Sequence, residues 1–447
     1  MIFDFPKGFL FGAASSACQI ESAYFEDGKG EDVTGYYSKI YPEKFAGSHP
    51  NDSADFYHKY PEDIAMMKDL GLKCFRFSIS WSRIFPNGPD EVCQAGIDYY
   101  SNVIDELKKA GMKVFFDLWH CDLPYWVIEK GGLLEKDFIK WFHNYAEVCF
   151  KAFGDRVDFW STINEPSINI MAAYAYEHQA PFMRDMNLAI KACHIAILAH
   201  YDVVRLYKSM NFKGQIGAVI HVEPTYALTM DEQDRLAAER RFAFYSGWWM
   251  DPMFKGHYPK ILMDYKWITD KLPEGFEKDL SDNFISSDFI SINYYSPSFV
   301  KYSKNDELDY EFIKNEQLAG DDYGFVVYAQ GLFDTCKRLN KDYPNKDIYI
   351  TENGIGVKKE GTLDEQLNDD YRINYMREHL RELSKAIDSG IPVKGYFPWS
   401  IIDTWEGYAG GYNFIFGLVQ VNYETLERRP RKSYFYYKQV IEQGRVN

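Results

Sequence analysis

The sequence lacks the features that would place the protein in a membrane or on nucleic acid. Its 447 residues contain no apolar run of about 18 residues or more, so no membrane-spanning helix is predicted. Basic residues are in deficit, with 50 Lys and Arg against 66 Asp and Glu. The resulting formal net charge of −16 argues against binding to nucleic acid or to an anionic membrane surface. A small neutral molecule is therefore the expected partner.

The cysteine pattern indicates neither a metal site nor a disulfide framework. The seven cysteines are scattered, with neither a CxxC pair nor the spacing of zinc ligands. We therefore expect reduced thiols, no metal, no cofactor and a cytoplasmic location. At the N-terminus, Asp4 and Pro6 stand where a signal peptide would be basic, so a strand is predicted there. No linker or repeat divides the chain, which predicts one domain over residues 1–447.

Short β-type runs alternate with helical stretches along the chain. Such alternation predicts an α/β protein whose parallel strands close into a (β/α)₈ TIM barrel. One helical example is residues 62–70, where apolar side chains share a face and Gly71 follows as a stop signal. The eight predicted strands are Phe9–Ala13, Lys73–Ser78, Lys113–Leu118, Val157–Ile163, Gln215–Ile220, Asp288–Ile292, Asp347–Ile350 and Val393–Phe397.

A polar stretch in which acidic residues outnumber lysines covers residues 302–322. Its composition predicts a long loop after the sixth strand. Two interpretations are open for it, a solvated insertion or a rim over an active site.

Polar side chains follow the predicted strands, where the working face of a barrel is built. Burying so many of them together costs free energy unless they are paired, which indicates a site rather than a structural role. They are Gln19, His120, Asn164, Glu165, Asn293, Tyr295, Glu352, Trp399 and Glu406, together with Arg76 inside the second predicted strand.

Two of these residues, Glu165 and Glu352, follow the fourth and seventh strands. Glycoside hydrolysis needs two carboxyl groups across a cavity, one to protonate the leaving oxygen and one to attack the anomeric carbon. A single glutamate after a strand is more often an ion-pair partner or a helix cap. The neighbouring residues decide between these interpretations.

The runs TINEP at 162–166 and ITENG at 350–354 resemble the two signatures of family 1 glycoside hydrolases. The resemblance extends over essentially the whole chain. Further matching runs are FLFGAASS at 9–16, RFSISWSRIFP at 76–86, HCDLP at 120–124, INYY at 292–295 and WSIID at 399–403.

This resemblance implies a retaining, exo-acting β-glycosidase similar to β-glucosidases. Glu165 would be the general acid and base, and Glu352 the nucleophile, supported by Arg76 and Tyr295. Hydroxyls of the sugar in the glycone subsite would be bound by side chains that can donate or accept hydrogen bonds, above the indole of Trp399 as a floor. These hydroxyl-binding residues would be Gln19, His120, Asn164 and Glu406, with Asn293 beside them.

The sequence departs from the family pattern around the expected pocket. Cys121 and Gly407 stand where the family has tryptophan, and Tyr408 follows Gly407. On the aglycone side, His221 replaces an asparagine and Phe325 replaces a platform tryptophan.

Several functions stay open from the sequence. The altered residues fit either drift within a β-glucosidase, with Tyr408 refilling the space, or a pocket enlarged for a modified or non-glucose glycone. A 6-phosphoglycosidase is disfavoured, because Glu406 is kept and Phe414 and Phe416 occupy the positions expected to bind phosphate. A transglycosylase would use the same residues. A non-catalytic carbohydrate-binding barrel is a further alternative, but both carboxylates are present.

Overall fold

The computed structural model describes residues 3–305 and 307–447, and its centre is a closed barrel of eight parallel strands. Each predicted run overlaps one of these strands, so the predicted fold class is confirmed. The strands, numbered β1 to β8 in chain order, are Leu10–Ala14, Cys74–Ser78, Lys113–Trp119, Phe159–Asn164, Gln215–His221, Ile290–Asn293, Ile348–Asn353 and Val393–Pro398. Pairing of Leu10 with Gly395 joins β1 to β8 and closes the barrel.

Helices connect successive strands and cover the outside of the barrel. The helical face predicted in residues 62–70 belongs to helix Phe56–Leu70, which is capped by Gly71 in the left-handed conformation. The longer helices are Phe56–Leu70, Gln94–Lys109, Asp137–Phe153, Met186–Ser209, Glu232–Phe242, Trp248–Lys255, Gln330–Asp342, Asp370–Asp388 and Lys432–Gln443. Shorter ones that shape the loops include Val33–Ile40, Pro166–Tyr174 and Phe276–Asn283.

Strand alternation sorts the side chains of the barrel into two environments. In β2, Phe75 and Phe77 join the large apolar cluster outside the strands, whereas Cys74 joins the cluster inside the barrel. Phe115 and Phe159 also belong to this inner cluster. Because successive side chains point to opposite faces, polar residues further along the same strands also face inward. The barrel therefore has an aromatic floor beneath a polar layer.

Part of the range 302–322, in which residue 306 lies outside the described residues, is more structured than the sequence predicts. Strand Tyr310–Phe312 within this range pairs antiparallel with strand Ser298–Tyr302, which in turn pairs with Thr225–Ala227. Such short strands carry too little alternation to stand out in the sequence. Within the described residues, no helix has the length and apolarity needed to cross a membrane.

Candidate active site

A cavity of about 730 Å³ opens at the carboxyl ends of the barrel strands. Its walls include most of the site residues predicted from the sequence, whereas Arg76 and Asn293 lie behind them. The predicted residues that line the cavity are Gln19, His120, Cys121, Asn164, Glu165, His221, Tyr295, Phe325, Glu352, Trp399, Glu406, Gly407 and Tyr408.

Glu165 occupies a constrained turn between β4 and the helix that begins at Pro166. Its φ of 44° and ψ of 55° are left-handed, a conformation that costs a residue with a side chain roughly 1–2 kcal/mol. The register of β4 against β5 shifts just before this point. Strain and register shifts of this kind concentrate at functional sites, where they aim a side chain. Here they turn Glu165 into the cavity.

The Glu165 carboxyl group is held through one of its oxygens. Asn293 donates a hydrogen bond from Nδ2 to Oε1 over 2.8 Å, and Nδ1 of His221 lies 3.5 Å from the same oxygen. Both partners come from the ends of neighbouring strands, β6 and β5. The side chain of Glu165 is 15% exposed, so it remains accessible from the cavity.

Glu352 lies near the end of β7 and is gripped at both carboxyl oxygens. Arg76 Nη1 donates to Oε1 over 2.6 Å, and the Tyr295 hydroxyl donates to Oε2 over 2.6 Å. The register of β7 against β6 shifts between Ile350 and Glu352. These contacts fix the direction of the carboxylate and leave its lone pairs toward the cavity.

Opposing effects act on the charge of Glu352. Burial raises its pKa, and the charge of Glu165 acts in the same direction, whereas Arg76, His120 and the Tyr295 hydrogen bond lower it. The net direction is upward. Arg76 is itself fully buried. Burial lowers the pKa of Arg76, but the charges of Asp117 and Glu352 raise it by more, so the net shift is upward. The guanidinium therefore stays charged and offsets part of the cost of ionising Glu352.

A chain of hydrogen bonds links the two glutamates behind the cavity wall. Asn293, which donates to Glu165, also donates to Asn164 Oδ1 over 3.1 Å. The same oxygen accepts from Arg76 Nη2 over 2.7 Å, and Arg76 reaches Glu352. Displacement of one carboxyl group is therefore resisted by the partners of the other.

Glu406 forms another part of the wall with three hydrogen-bond partners. Thr404 donates over 2.6 Å, Gln19 over 3.2 Å and Tyr323 over 3.4 Å. Burial raises the pKa of Glu406 to about 7, although the hydrogen bonds from Thr404 and Tyr323 oppose the shift. Gln19 and Glu406 can together grip vicinal hydroxyls of a sugar.

Trp399 and His120 provide a planar surface beside these groups. Their rings are nearly parallel, at 13°, with centroids 5.7 Å apart. His120 Nε2 lies 3.2 Å from Asn164 Nδ2, which fits an acceptor nitrogen on that side of the imidazole. An indole face in a cavity can stack against the apolar face of a pyranose ring.

The residues that depart from the family pattern have unequal surroundings. A Cβ atom at Gly407 would lie 2.9 Å from the indole of Trp405, so Trp405 packs against the site that a larger residue would need. Tyr408 turns toward other loops, where it packs on Phe45 at 4.7 Å and accepts a hydrogen bond from the Ala180 amide. Trp405 and Tyr408 therefore both pack beside Gly407 and line the cavity.

On the opposite side of the cavity, Phe325 stacks on Tyr295 with centroids 5.0 Å apart. It belongs to a loop anchored by Asp321, whose carboxylate accepts hydrogen bonds from the amides of Phe325 and Gly356. This loop also brings Tyr323 to Glu406. The stretch just after residue 320 thus contributes directly to the cavity wall.

Several lining residues were not predicted from the sequence. They come from loops and short helical segments that meet only when the barrel closes, and no short motif marks them. They are Cys18, Thr34, Tyr176, Glu223, Tyr245, Tyr323 and Trp405. The one available signal was the large aromatic residue directly before Glu406. In the described part of the chain, no group of three or more His, Cys, Asp or Glu residues is arranged to hold a metal ion.

Comparisons with known proteins give a consistent result. The model of glycosyl hydrolase family 1 matches residues 2–446. The chain is 38% identical to β-glucosidase A of Acetivibrio thermocellus and 34% identical to the 6-phospho-β-glucosidase GmuD of Bacillus subtilis, with 98% of each chain covered in both cases. A solved Thermotoga maritima family 1 β-glucosidase in complex with isofagomine lactam superposes with a TM-score of 0.95 at 33% identity, over 100% of both chains.

Proposed function

The chain belongs to glycosyl hydrolase family 1 and is a glycoside hydrolase, and from this premise we propose that it is a retaining, exo-acting β-glycosidase. The observation that carries the proposal is the fixed carboxylate of Glu352, held by Arg76 and Tyr295 in the cavity that Glu165 also lines. One oriented carboxylate and one more accessible carboxyl group are what double displacement requires.

In the first step, Glu352 attacks the anomeric carbon while Glu165 protonates the departing oxygen. A covalent glycosyl-enzyme ester forms and the aglycone leaves as an alcohol. In the second step, Glu165 takes a proton from water, which attacks the same carbon and releases Glu352 as a carboxylate. Two inversions at one carbon give net retention of configuration.

The glycone is proposed to lie against Trp399, with hydroxyls bound by Gln19, His120, Asn164 and Glu406. These side chains surround one end of the cavity. Hydrogen bonds that strengthen as the ring flattens toward the oxocarbenium-like transition state would contribute to catalysis as well as to binding.

We propose that the glycone is uncharged. No lysine or arginine is among the described residues that line the cavity. Four glutamates line it, namely Glu165, Glu223, Glu352 and Glu406. Phe414 and Phe416, at the positions expected to bind phosphate, pack against Tyr323. A phosphorylated sugar would enter this acidic cavity without a cation to pair with, at a cost in free energy.

The proposed function is tested with p-nitrophenyl β-glycosides and their 6-phosphates on purified protein. We expect hydrolysis of neutral donors, with the β-anomer as the first product in an NMR time course, and little turnover of the 6-phosphates. Glu352→Ala should be inactive and should regain turnover with azide, giving the α-glycosyl azide. An α-configured first product in the wild type would contradict a retaining mechanism.

A second candidate is a glycone that carries a small neutral substituent, and the hydroxyl of Thr34 favours it. This oxygen is buried and has no hydrogen-bond partner among the described residues, and Thr34 is one of the residues that line the cavity. The thiols of Cys18 and Cys121 lie on the same side. Beyond Cys121 and Tyr408 is a further, mostly apolar cavity of about 30 Å³. An unpaired buried hydroxyl costs free energy, which a hydrogen bond to an acceptor would offset.

The two candidates differ in their best donor. Cys121→Trp should improve kcat/KM for the plain β-glucoside and reduce it for O-acetylated analogues if the side space is used. Gly407→Trp is a poor choice because Trp405 blocks the position. If the plain glucoside is already the best wild-type donor, the substituent idea is wrong.

A further inference from the structure

His221 lies beside the candidate acid/base at the end of β5. Its Nδ1 is 3.5 Å from Oε1 of Glu165, and only 6% of the residue is exposed. Asn293 donates to that same oxygen over 2.8 Å. Among the described residues, none donates a hydrogen bond to Oε2. The two oxygens of Glu165 therefore have different surroundings.

This asymmetry matters for a carboxyl group that must transfer a proton. Oε1 accepts the hydrogen bond of Asn293 and faces Nδ1 of His221 at 3.5 Å. In the tautomer that carries the imidazole proton on Nδ1, a proton placed on Oε1 would face two N–H groups, so Oε1 behaves as the carbonyl oxygen of the protonated acid. The acidic proton is then confined to Oε2. That is the oxygen left free for the leaving group and, later, for water.

The imidazole ring is itself held in place. Tyr245 packs against its edge with centroids 5.6 Å apart, and Tyr295 lies 6.0 Å away at 57°. The nearby Glu223 is engaged by Arg241 Nη2 at 2.8 Å, so it does not compete for the ring. Glu165, Tyr245 and Tyr295 are titratable groups that lie beside His221.

We propose that His221 is a positioning residue for proton transfer by Glu165, holding Oε1 so that Oε2 carries the proton toward the glycosidic oxygen. The inference rests on the proposed role of Glu165. It assigns to His221 an effect on the chemical step rather than on aglycone binding alone.

The expected signature is a dependence on the leaving group. Donors with a good leaving group, such as 2,4-dinitrophenyl β-glycosides, need little help from an acid, whereas alkyl β-glycosides depend on it. His221→Phe should lower kcat/KM for alkyl donors by roughly 10- to 100-fold and change it by less than about 3-fold for the dinitrophenyl donor. A loss of packing alone would lower both equally.

Two conservative variants sharpen the test. Asparagine can place an amide N–H where Nδ1 stands, whereas glutamine reaches the position of Nε2. His221→Asn should therefore restore most of the activity on alkyl donors, and His221→Gln should not. This pair decides the question even if His221→Phe fails to fold. His143→Phe is the matched control, since His143 pairs with Asp202 at the surface over 2.6 Å, and it should leave the leaving-group dependence unchanged.

Glu165→Ala, measured in parallel, distinguishes the proposed role of Glu165 from the proposed role of His221. It should show a steeper leaving-group dependence than any His221 variant. If Glu165→Ala lacks that dependence, the proposed acid/base role fails. If Glu165→Ala shows it but His221→Asn and His221→Gln lower all donors equally, or lower none, the inference about His221 is overturned and the proposed function stands.

Discussion

At the scale of single residues, Glu406 shows how burial couples the site to pH. Its pKa is raised to about 7 from an ordinary value of 4.5, chiefly by burial. The folded protein therefore binds this proton more tightly than the unfolded chain does. The stability that this proton contributes is fully present below the pKa of Glu406 in the unfolded chain. It is lost as the pH rises through the pKa of Glu406 in the folded protein.

Glu406→Gln removes this titration and so isolates its contribution. The free energy of unfolding of the wild type should fall, relative to the variant, by roughly 3 kcal/mol between about pH 4 and about pH 8, since one pKa unit is worth about 1.4 kcal/mol. Urea unfolding at several pH values measures it. Asp122, whose pKa burial raises to about 8, is present in both proteins and cancels. If the free energy of unfolding changes with pH in the same way in the wild type and in Glu406→Gln, the raised pKa of Glu406 is contradicted.

At the scale of elements, a buried ion pair fixes the loop that carries Trp399 and Glu406. Arg431, at the start of helix Lys432–Gln443, donates from both terminal nitrogens to Asp403, over 2.8 and 2.7 Å. Asp403 also accepts hydrogen bonds from the amides of Gly417 and Val421. The last helix of the chain is thereby tied to the loop after β8.

Breaking this pair from one side should be costly. Arg431→Met leaves Asp403 buried without its cation, so we expect a loss of about 3–5 kcal/mol in the free energy of unfolding and a higher KM. Chemical denaturation and steady-state kinetics measure both effects. The double variant Arg431→Met with Asp403→Asn should recover part of the stability, because the uncompensated charge is gone. A double variant as unstable as the sum of both single changes would refute this explanation.

The eight barrel strands could be predicted because each is a short apolar run followed by polar residues, a pattern set by the two environments along a barrel strand. Their ends were less predictable. Glu352 and Asn353 lie inside β7 rather than after it, since strand pairing continues past the register shift. Motifs also predicted part of the cavity wall, including Glu165, Glu352 and Glu406. Thr34 and Tyr323, in contrast, come from a short helix and a loop that no local sequence pattern places next to each other.

At the scale of the whole molecule, the chain ends pair with each other as strands Phe3–Asp4 and Arg445–Val446, outside a barrel in which β1 pairs with β8. We propose that residues 1–447 form one domain. Calorimetry should then show one unfolding transition whose calorimetric and van't Hoff enthalpies agree. Two resolved transitions would contradict the proposal.

The central claim is that Glu352 becomes covalently attached to the sugar. Incubation with an activated 2-deoxy-2-fluoro-β-glycoside tests it most directly. The fluorine slows both formation and hydrolysis of the ester, whereas the activated leaving group speeds formation alone, so the intermediate accumulates. We predict a mass increase of one fluoroglycosyl group per chain, located by peptide mapping in the segment of β7 that contains Glu352. Attachment to another residue, or turnover of the donor to an inverted product without any adduct, would contradict the account.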